Sequence, residues 1–200
     1  MAGALILLRH GQTEWARDGR HTGLTDLALT DIGERQARDA ASLVSELLEG
    51  EPPALVLTSP LVRAARTAEL AGLHADVEPR LVEWDYGGYE GLTGDQIRER
   101  AGVDWTVFDD GVVPGATPGE TLQQLADRGR AVIARVRPAL ADGDVVLVGH
   151  GHALRVLAAC WLDVDPRLAA RLLLDPAGVC VLERTRDLPG VRHWNLRAAA

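Results

Sequence analysis

Ala4-Leu5-Ile6-Leu7-Leu8-Arg9-His10-Gly11 changes character within a single residue. Five consecutive apolar side chains are the pattern of a strand buried on both faces, as in the interior of a parallel sheet. The run stops at Arg-His-Gly, which places these three residues at the strand's carboxyl end. The same transition occurs twice more. Ala54-Leu55-Val56-Leu57 runs into Thr58-Ser59, and Asp144-Val145-Val146-Leu147-Val148 runs into Gly149-His150-Gly151. Helical stretches alternate with these strands, so the spacing predicts a three-layer α/β/α sandwich around a mainly parallel central sheet with right-handed crossovers. Ligands in such folds sit outside the carboxyl ends of the strands. Arg9-His10, Thr58-Ser59 and His150 therefore point at one crevice.

The connecting stretches carry their own signals. A polar, glycine-bearing loop reaches about Leu29, after which Thr30 or Asp31 can cap a helix with apolar positions Ile32, Ala37, Ala40, Val44, Leu47 and Leu48. Ser59-Pro60 reads as cap and first residue of a second helix, closed by Gly72. Residues 76–82 read as a short extended segment, followed by the glycine- and aromatic-rich loop 83–92. Thr93-Gly94-Asp95-Gln96 has capping-box spacing and predicts a small helix. A long loop is expected over 109–119, then an amphipathic helix over about 120–140. Helices over 152–162 and 166–174 follow, with two closing strands at 179–182 and 191–194. No linker divides the chain, so residues 1–200 read as one domain.

Composition narrows the function. Of 200 residues, 46% are apolar and 25% charged, which is ordinary for a globular chain that buries about 70% of its unfolded surface. The segment from Met1 to Leu8 is apolar but short, without a basic lead-in, and reads as neither a secretory signal nor a membrane span. Cys160 and Cys180 lie in apolar stretches and read as reduced thiols of a cytoplasmic protein. A net charge of −8 argues against nucleic acid or an anionic membrane as partner. The chain has no lysine, which removes a Gly-Lys-Ser/Thr phosphate loop and any lysine Schiff base. Any anion bound here is bound by guanidinium, imidazole and backbone N–H groups.

Phosphoryl transfer without a metal or other cofactor needs a nucleophile, positive charge around the equatorial oxygens, and an acid for the leaving oxygen. A neutral His10 can be the nucleophile, and neighbouring guanidinium groups favour the neutral ring. Arg9 and Arg63 can each bond phosphate in bidentate fashion. His150 offers an imidazolium donor, and Gly151 an unobstructed N–H. Glu83, in an aromatic-rich loop, is expected to hold a proton and act as general acid. Arg66 reads as a solvated helix face, Trp84, Tyr86 and Tyr89 as loop packing, and Trp105 and Phe108 as helix anchors. His150-Gly151-His152 could instead be half of a metal site, but His10, His21, His74 and His193 supply no second paired cluster.

Leu8-Arg9-His10-Gly11-Gln12-Thr13-Glu14-Trp15 resembles the opening signature of the histidine phosphatase, or phosphoglycerate mutase-like, family. Thr22-Gly23-Leu24-Thr25-Asp26 and residues 29–37 continue the pattern. Residues 59–68 match the second motif, residues 81–93 are similar to the third, and residues 148–151 to the last. The resemblance covers the chain in collinear order. It implies the phosphoglycerate mutase-like fold, His10 as the phosphorylated nucleophile and Glu83 as proton donor. Arg9, Arg63 and His150 become the phosphate clamp, with Gln12, Thr13, Thr22, Gly23 and Gly151 as further contacts, no metal, and often a homodimer.

Two positions depart from the pattern. Ala16 stands where many relatives have asparagine, removing a polar contact to phosphate. Trp84 and Asp85 follow Glu83 where mutases place basic residues, and the mutase insertion after the third motif is missing. The sequence therefore looks closest to bacterial acid phosphatases and sedoheptulose-bisphosphatase-like members, and predicts a metal-independent phosphomonoesterase of small phosphorylated metabolites. The alternatives are a cofactor-dependent phosphoglycerate mutase and a catalytically silent phosphate-binding module.

Overall fold

The computed structural model describes residues 3–186 and 188–198; the ends of the unit expected over 1–200, Met1 and Ala2 included, lie outside them. Six strands form one sheet: β1 (Leu5–Arg9), β2 (Leu55–Thr58), β3 (Asp76–Val77), β4 (Val145–Gly149), β5 (Val179–Thr185) and β6 (Leu188–Leu196). Their order is β3-β2-β4-β1-β5-β6. The first four in that order run parallel, while β5 is antiparallel to β1 and β6 to β5. The mainly parallel sandwich is thus as expected, with an antiparallel edge.

Among the described residues seven α-helices connect or follow the strands: α1 (Glu14–Arg17), α2 (Asp31–Leu47), α3 (Val62–Leu70), α4 (Gly94–Ala101), α5 (Val107–Asp110), α6 (Leu122–Val136) and α7 (Gly151–Trp161). Pleat alternation divides the core. Leu5, Leu7, Val145 and Leu147 pack against Val132, Ile133, Leu154 and Leu157 of α6 and α7. Ile6, Leu8, Val146 and Val148 face Ala40, Val44, Ala64 and Ala68 of α2 and α3. Neighbouring strands β1 and β4 thus send their chains to opposite faces, α2 on one and α7 on the other. A crevice opens at such a switch point. A third cluster, Trp84, Tyr86, Tyr89, Ile97, Trp105 and Phe108, packs under the 83–121 segment against Ala153 and Val156 of α7.

Local caps explain most boundaries. The Thr30 hydroxyl accepts from Gly33 N at 3.0 Å, and Thr93 and Thr121 each form reciprocal capping boxes with Gln96 and Gln124. Four expectations are corrected. Ser59-Pro60 does not start α3, which begins at Val62; Asp26 Oδ1, from a distant loop, accepts from Val62 N at 2.8 Å instead. The helix expected over 120–140 stops at Val136, because Pro138 has no N–H to continue the hydrogen-bond ladder, and a 3-10 turn follows. The stretch expected as a helix over 166–174 is a 3-10 turn, Pro166–Arg171. Ile32, expected in the core, is 46% exposed. Gly33 takes the inward position, since a Cβ there would lie 2.1 Å from Gln12 O and one on Gly11 2.2 Å from Gly33 O. This contact without side chains lays the loop after β1 directly on α2.

Candidate active site

Register sets the height of the site. Arg9 of β1 pairs with Gly149 of β4, and Thr58 of β2 with Val148. His10, Ser59 and His150, each within a residue of these positions, leave the sheet at nearly the same level. His10 N then bonds Gly149 O at 2.9 Å and Ser59 N bonds Val148 O at 3.0 Å. The His10 and His150 rings meet edge to face at 5.1 Å. The two imidazoles share one site.

His10 is oriented by its own loop. Its Nδ1 lies 2.7 Å from Gly11 O; a carbonyl only accepts, so Nδ1 carries the proton and Nε2 keeps its lone pair. Gly11 N donates to Thr67 Oγ1 at 3.1 Å, which fixes that loop to α3. Burial, then the positive charges of Arg9 and Arg63, hold the His10 pKa well below the usual imidazole range. The ring is therefore neutral, as a nitrogen nucleophile requires.

Behind it, Arg63 and His150 are fully buried. Arg63 Nε donates to His150 Nδ1 at 3.1 Å, so the proton of the neutral ring is on Nε2 and goes to Ser59 Oγ at 2.7 Å. Burial, with Arg63 adding repulsion, also pushes the His150 pKa well down. The expected imidazolium is thus corrected to a neutral donor, because a guanidinium already occupies its other nitrogen. Arg63 itself spans the loop opposite, donating to Thr25 O and Gly23 O at 2.8 Å each. Most of the expected bidentate clamp is spent holding this loop. Arg9 donates to Leu174 O, while its buried Nε has no protein partner among the described residues.

Glu83 faces the same space from the turn after Pro79–Leu81. Its Oε1 accepts from Trp84 N at 2.9 Å and Ala153 N at 2.8 Å, and its Oε2 from His152 N at 3.0 Å. Glu83 thus has three backbone N–H donors, two from the start of α7 and one from the adjacent Trp84. Arg128, which no local sequence signal singles out, holds this turn in place. It donates to Arg80 O, Val82 O and Glu83 O and pairs with Glu120 at 2.7 Å.

A cavity of about 210 Å³ opens over these groups. It is lined by Arg9, His10, Glu83 and Gly151 below and by Arg20, His21, Thr22, Tyr86, His152 and Arg155 around the sides. Gln12 and Thr13 do not line it. Gln12 bonds Gln36 and Thr30, and Thr13 is the fully buried cap of α1, accepting from Ala16 N. Gly23 is also behind the wall, its N–H on Glu90. The two histidines flanking Gly151 join different hydrogen-bond systems, His150 with Arg63 and Ser59, and His152 with Tyr86 Oη at 2.5 Å. They do not converge as a metal-binding pair.

Residues 5–197 match the family model described as histidine phosphatase superfamily (branch 1). The chain belongs to this superfamily. It is 41% identical over 182 residues, 90% of the chain and 86% of the relative, to an acid phosphatase of Mycobacterium tuberculosis. It is 37% identical to a sedoheptulose 1,7-bisphosphatase of Saccharomyces cerevisiae over 80% of the chain and 67% of that protein. A solved open-reading-frame product of Mycobacterium tuberculosis superposes with a TM-score of 0.91 at 36% identity, covering 98% of this chain and 99% of that one. Proteins named as phosphoglycerate mutases are similar to it as well. This histidine phosphatase works by phosphoryl transfer through a phosphohistidine, the chemistry general to its superfamily.

Proposed function

We propose that this histidine phosphatase hydrolyses small phosphomonoesters with His10 as nucleophile and Glu83 as proton shuttle. The observation that carries the reading is the tautomer of His10. With Nδ1–H donated to Gly11 O, the lone pair on Nε2 faces the cavity that Arg9 and Glu83 also line. In the first half-reaction Nε2 attacks phosphorus in line, the P–O ester bond breaks, and Glu83 gives its proton to the departing oxygen. In the second, Glu83 takes a proton from water, the water oxygen attacks phosphorus, and the N–P bond breaks to release phosphate. Glu83 acquires its proton when a phosphate dianion sits beside it, since like charges in one cavity favour sharing one. The unpaired Cys160 and Cys180 suit a cytoplasmic location.

Mass spectrometry of turnover quenched in alkali, where phosphohistidine persists, tests the nucleophile. Phosphate on His10 is the expected result, and phosphate on any other side chain overturns it. A mutase reading is favoured by one observation, the arginines on the cavity wall. Asp85, which stands where mutases place a basic residue, does not line the cavity and accepts from Gly87 N and Thr117 Oγ1. Incubation with 3-phosphoglycerate and a trace of 2,3-bisphosphoglycerate separates the two, free phosphate indicating hydrolysis and 2-phosphoglycerate indicating transfer.

A further inference from the structure

Arginines elsewhere in this chain are commonly matched by carboxylates, as Arg66 is by Glu34 and Glu69 and Arg128 by Glu120. Around the cavity the pattern is different. Arg9, Arg20, Arg63 and Arg155 form no ion pair with a carboxylate among the described residues, although the chain carries 29 acidic residues. Of the four, Arg9 lines the cavity beside His10, and Arg63 lies behind it, bonded to His150, Thr25 O and Gly23 O. The other two are on the wall: Arg20 at the exposed rim, and half-buried Arg155, one turn into α7. Arg155 is aimed by Nε donating to Ala169 O at 2.8 Å and by its guanidinium lying 5.1 Å from the Phe108 ring centroid. Its terminal nitrogens have no protein partner among the described residues.

The histidines between them add no charge. His21 Nδ1 lies 3.0 Å from Leu92 O, and burial lowers its pKa. His152 is held neutral by burial and by the charge of Arg155. Among the described residues Glu83 is the only carboxylate lining the cavity, against the three lining guanidinium groups of Arg9, Arg20 and Arg155. A phosphomonoester dianion beside His10 meets Arg9, and the two wall guanidinium groups lie away from the reacting phosphorus, open to another anionic group.

We propose that Arg20 and Arg155 form a second anion subsite, so that the preferred substrates are phosphate esters whose alcohol portion bears another anionic group, a carboxylate or a second phosphate. This rests on the reading of His10 and Glu83 above. Guanidinium donors suit either oxyanion through paired N–H bonds. The cavity volume limits the ester to a small metabolite, not a phosphopeptide or a nucleic acid end.

The test compares kcat/KM for four esters: p-nitrophenyl phosphate, glycerol 3-phosphate, a sugar bisphosphate, and a phosphorylated hydroxy acid such as 3-phosphoglycerate. The wild-type enzyme should favour at least one anion-tailed ester over glycerol 3-phosphate, the neutral-tailed counterpart, by tenfold or more, and the better of the two assigns the second group. Arg155→Gln and Arg20→Gln should each reduce that preference by about tenfold, mainly through KM, while Arg155→Lys retains most of it. Arg20 is exposed, so its variant tests the idea even where Arg155→Gln folds poorly. Equal preference for tailed and untailed esters in the wild type, or equal losses on all esters in Arg20→Gln, overturns the subsite. Failure to turn over p-nitrophenyl phosphate at all would instead overturn the underlying phosphatase reading.

Discussion

The floor and the wall of the cavity are built in opposite ways. On the floor, Arg9 and His10, backed by Arg63 and His150, come from strand ends and from the start of α3. His10, Arg63 and His150 are almost fully buried, and their polar contacts run to backbone atoms, to each other or to the buried Ser59 hydroxyl. The wall comes from the 20–22 loop, the aromatic turn at Tyr86 and the outer side of α7, and it retains open guanidinium donors. The sheet can hold a nucleophile within a narrow range of geometries because its register is fixed by a packed core on both faces. Loops resting on an aromatic cluster can vary without disturbing that register. Reaction chemistry thus resides in the floor, and selection among esters in the wall.

The sharpest way to break this division is His10→Ala. It should lower kcat on every phosphate ester by roughly a thousandfold or more, measured as phosphate release. Loss on one ester and retention on another would place the nucleophile elsewhere. Glu83→Gln should cost about 10²–10⁴-fold on alkyl phosphates and much less on p-nitrophenyl phosphate, whose leaving group needs no proton. Uniform losses would sink its role as acid.

Arg128 tests whether the floor depends on its supports. Arg128→Met leaves three carbonyls and Glu120 without their donor, and should cost about 3 kcal/mol of stability by chemical denaturation. It should also lower kcat while altering the ranking of esters little. A reordered ranking at unchanged kcat would contradict the division.

The neutral imidazoles give a pH test. His10, His150 and His152 titrate below the usual imidazole value in the folded protein, whereas unfolded histidines titrate near 6.5. Below about pH 6.5 the unfolded chain therefore binds more protons, and stability declines as pH falls. The melting temperature should drop between pH 7 and pH 5, and the acid limb of kcat/KM should have its midpoint under pH 6.5. A melting temperature that rises over that interval would refute the neutral assignment. The smallest expected effect is on the wall. Tyr86→Phe removes the hydroxyl on His152, costing about 1 kcal/mol and shifting KM a few-fold with kcat nearly constant.

The floor was legible in sequence because an apolar run ending in Arg9-His10, and another ending in Gly149-His150, report burial and position together. The wall was less so. Arg155 sits in an apolar helix and reads as part of its packing, while Arg20 reads as one surface charge among many. Only the path of the 20–26 loop brings Arg20 to the cavity. Gln12 and Thr13 sit next to the nucleophile in sequence, yet the Gly11–Gly33 contact turns them toward α2 and α1. Ser59 had the sequence context of a helix cap, but His150 competes for its hydroxyl, and Asp26, 36 positions before Val62, accepts from that residue's N–H instead. Long-range hydrogen bonding of this kind leaves no local periodicity to read.

Arg63 grips the carbonyls of Gly23 and Thr25, while Asp26 caps the helix that carries Arg63. Two rivets thus fasten one rim of the mouth to the scaffold, so that rim cannot swing as a hinged gate. Passage of esters and alcohols past it then depends on side-chain rotation at Arg20 and His21, a nanosecond process, and slow backbone opening there sets no ceiling on turnover. The amides of Gly23 and Thr25, both bound to Glu90, should accordingly resist exchange with deuterated solvent far better than their loop location would lead one to assume.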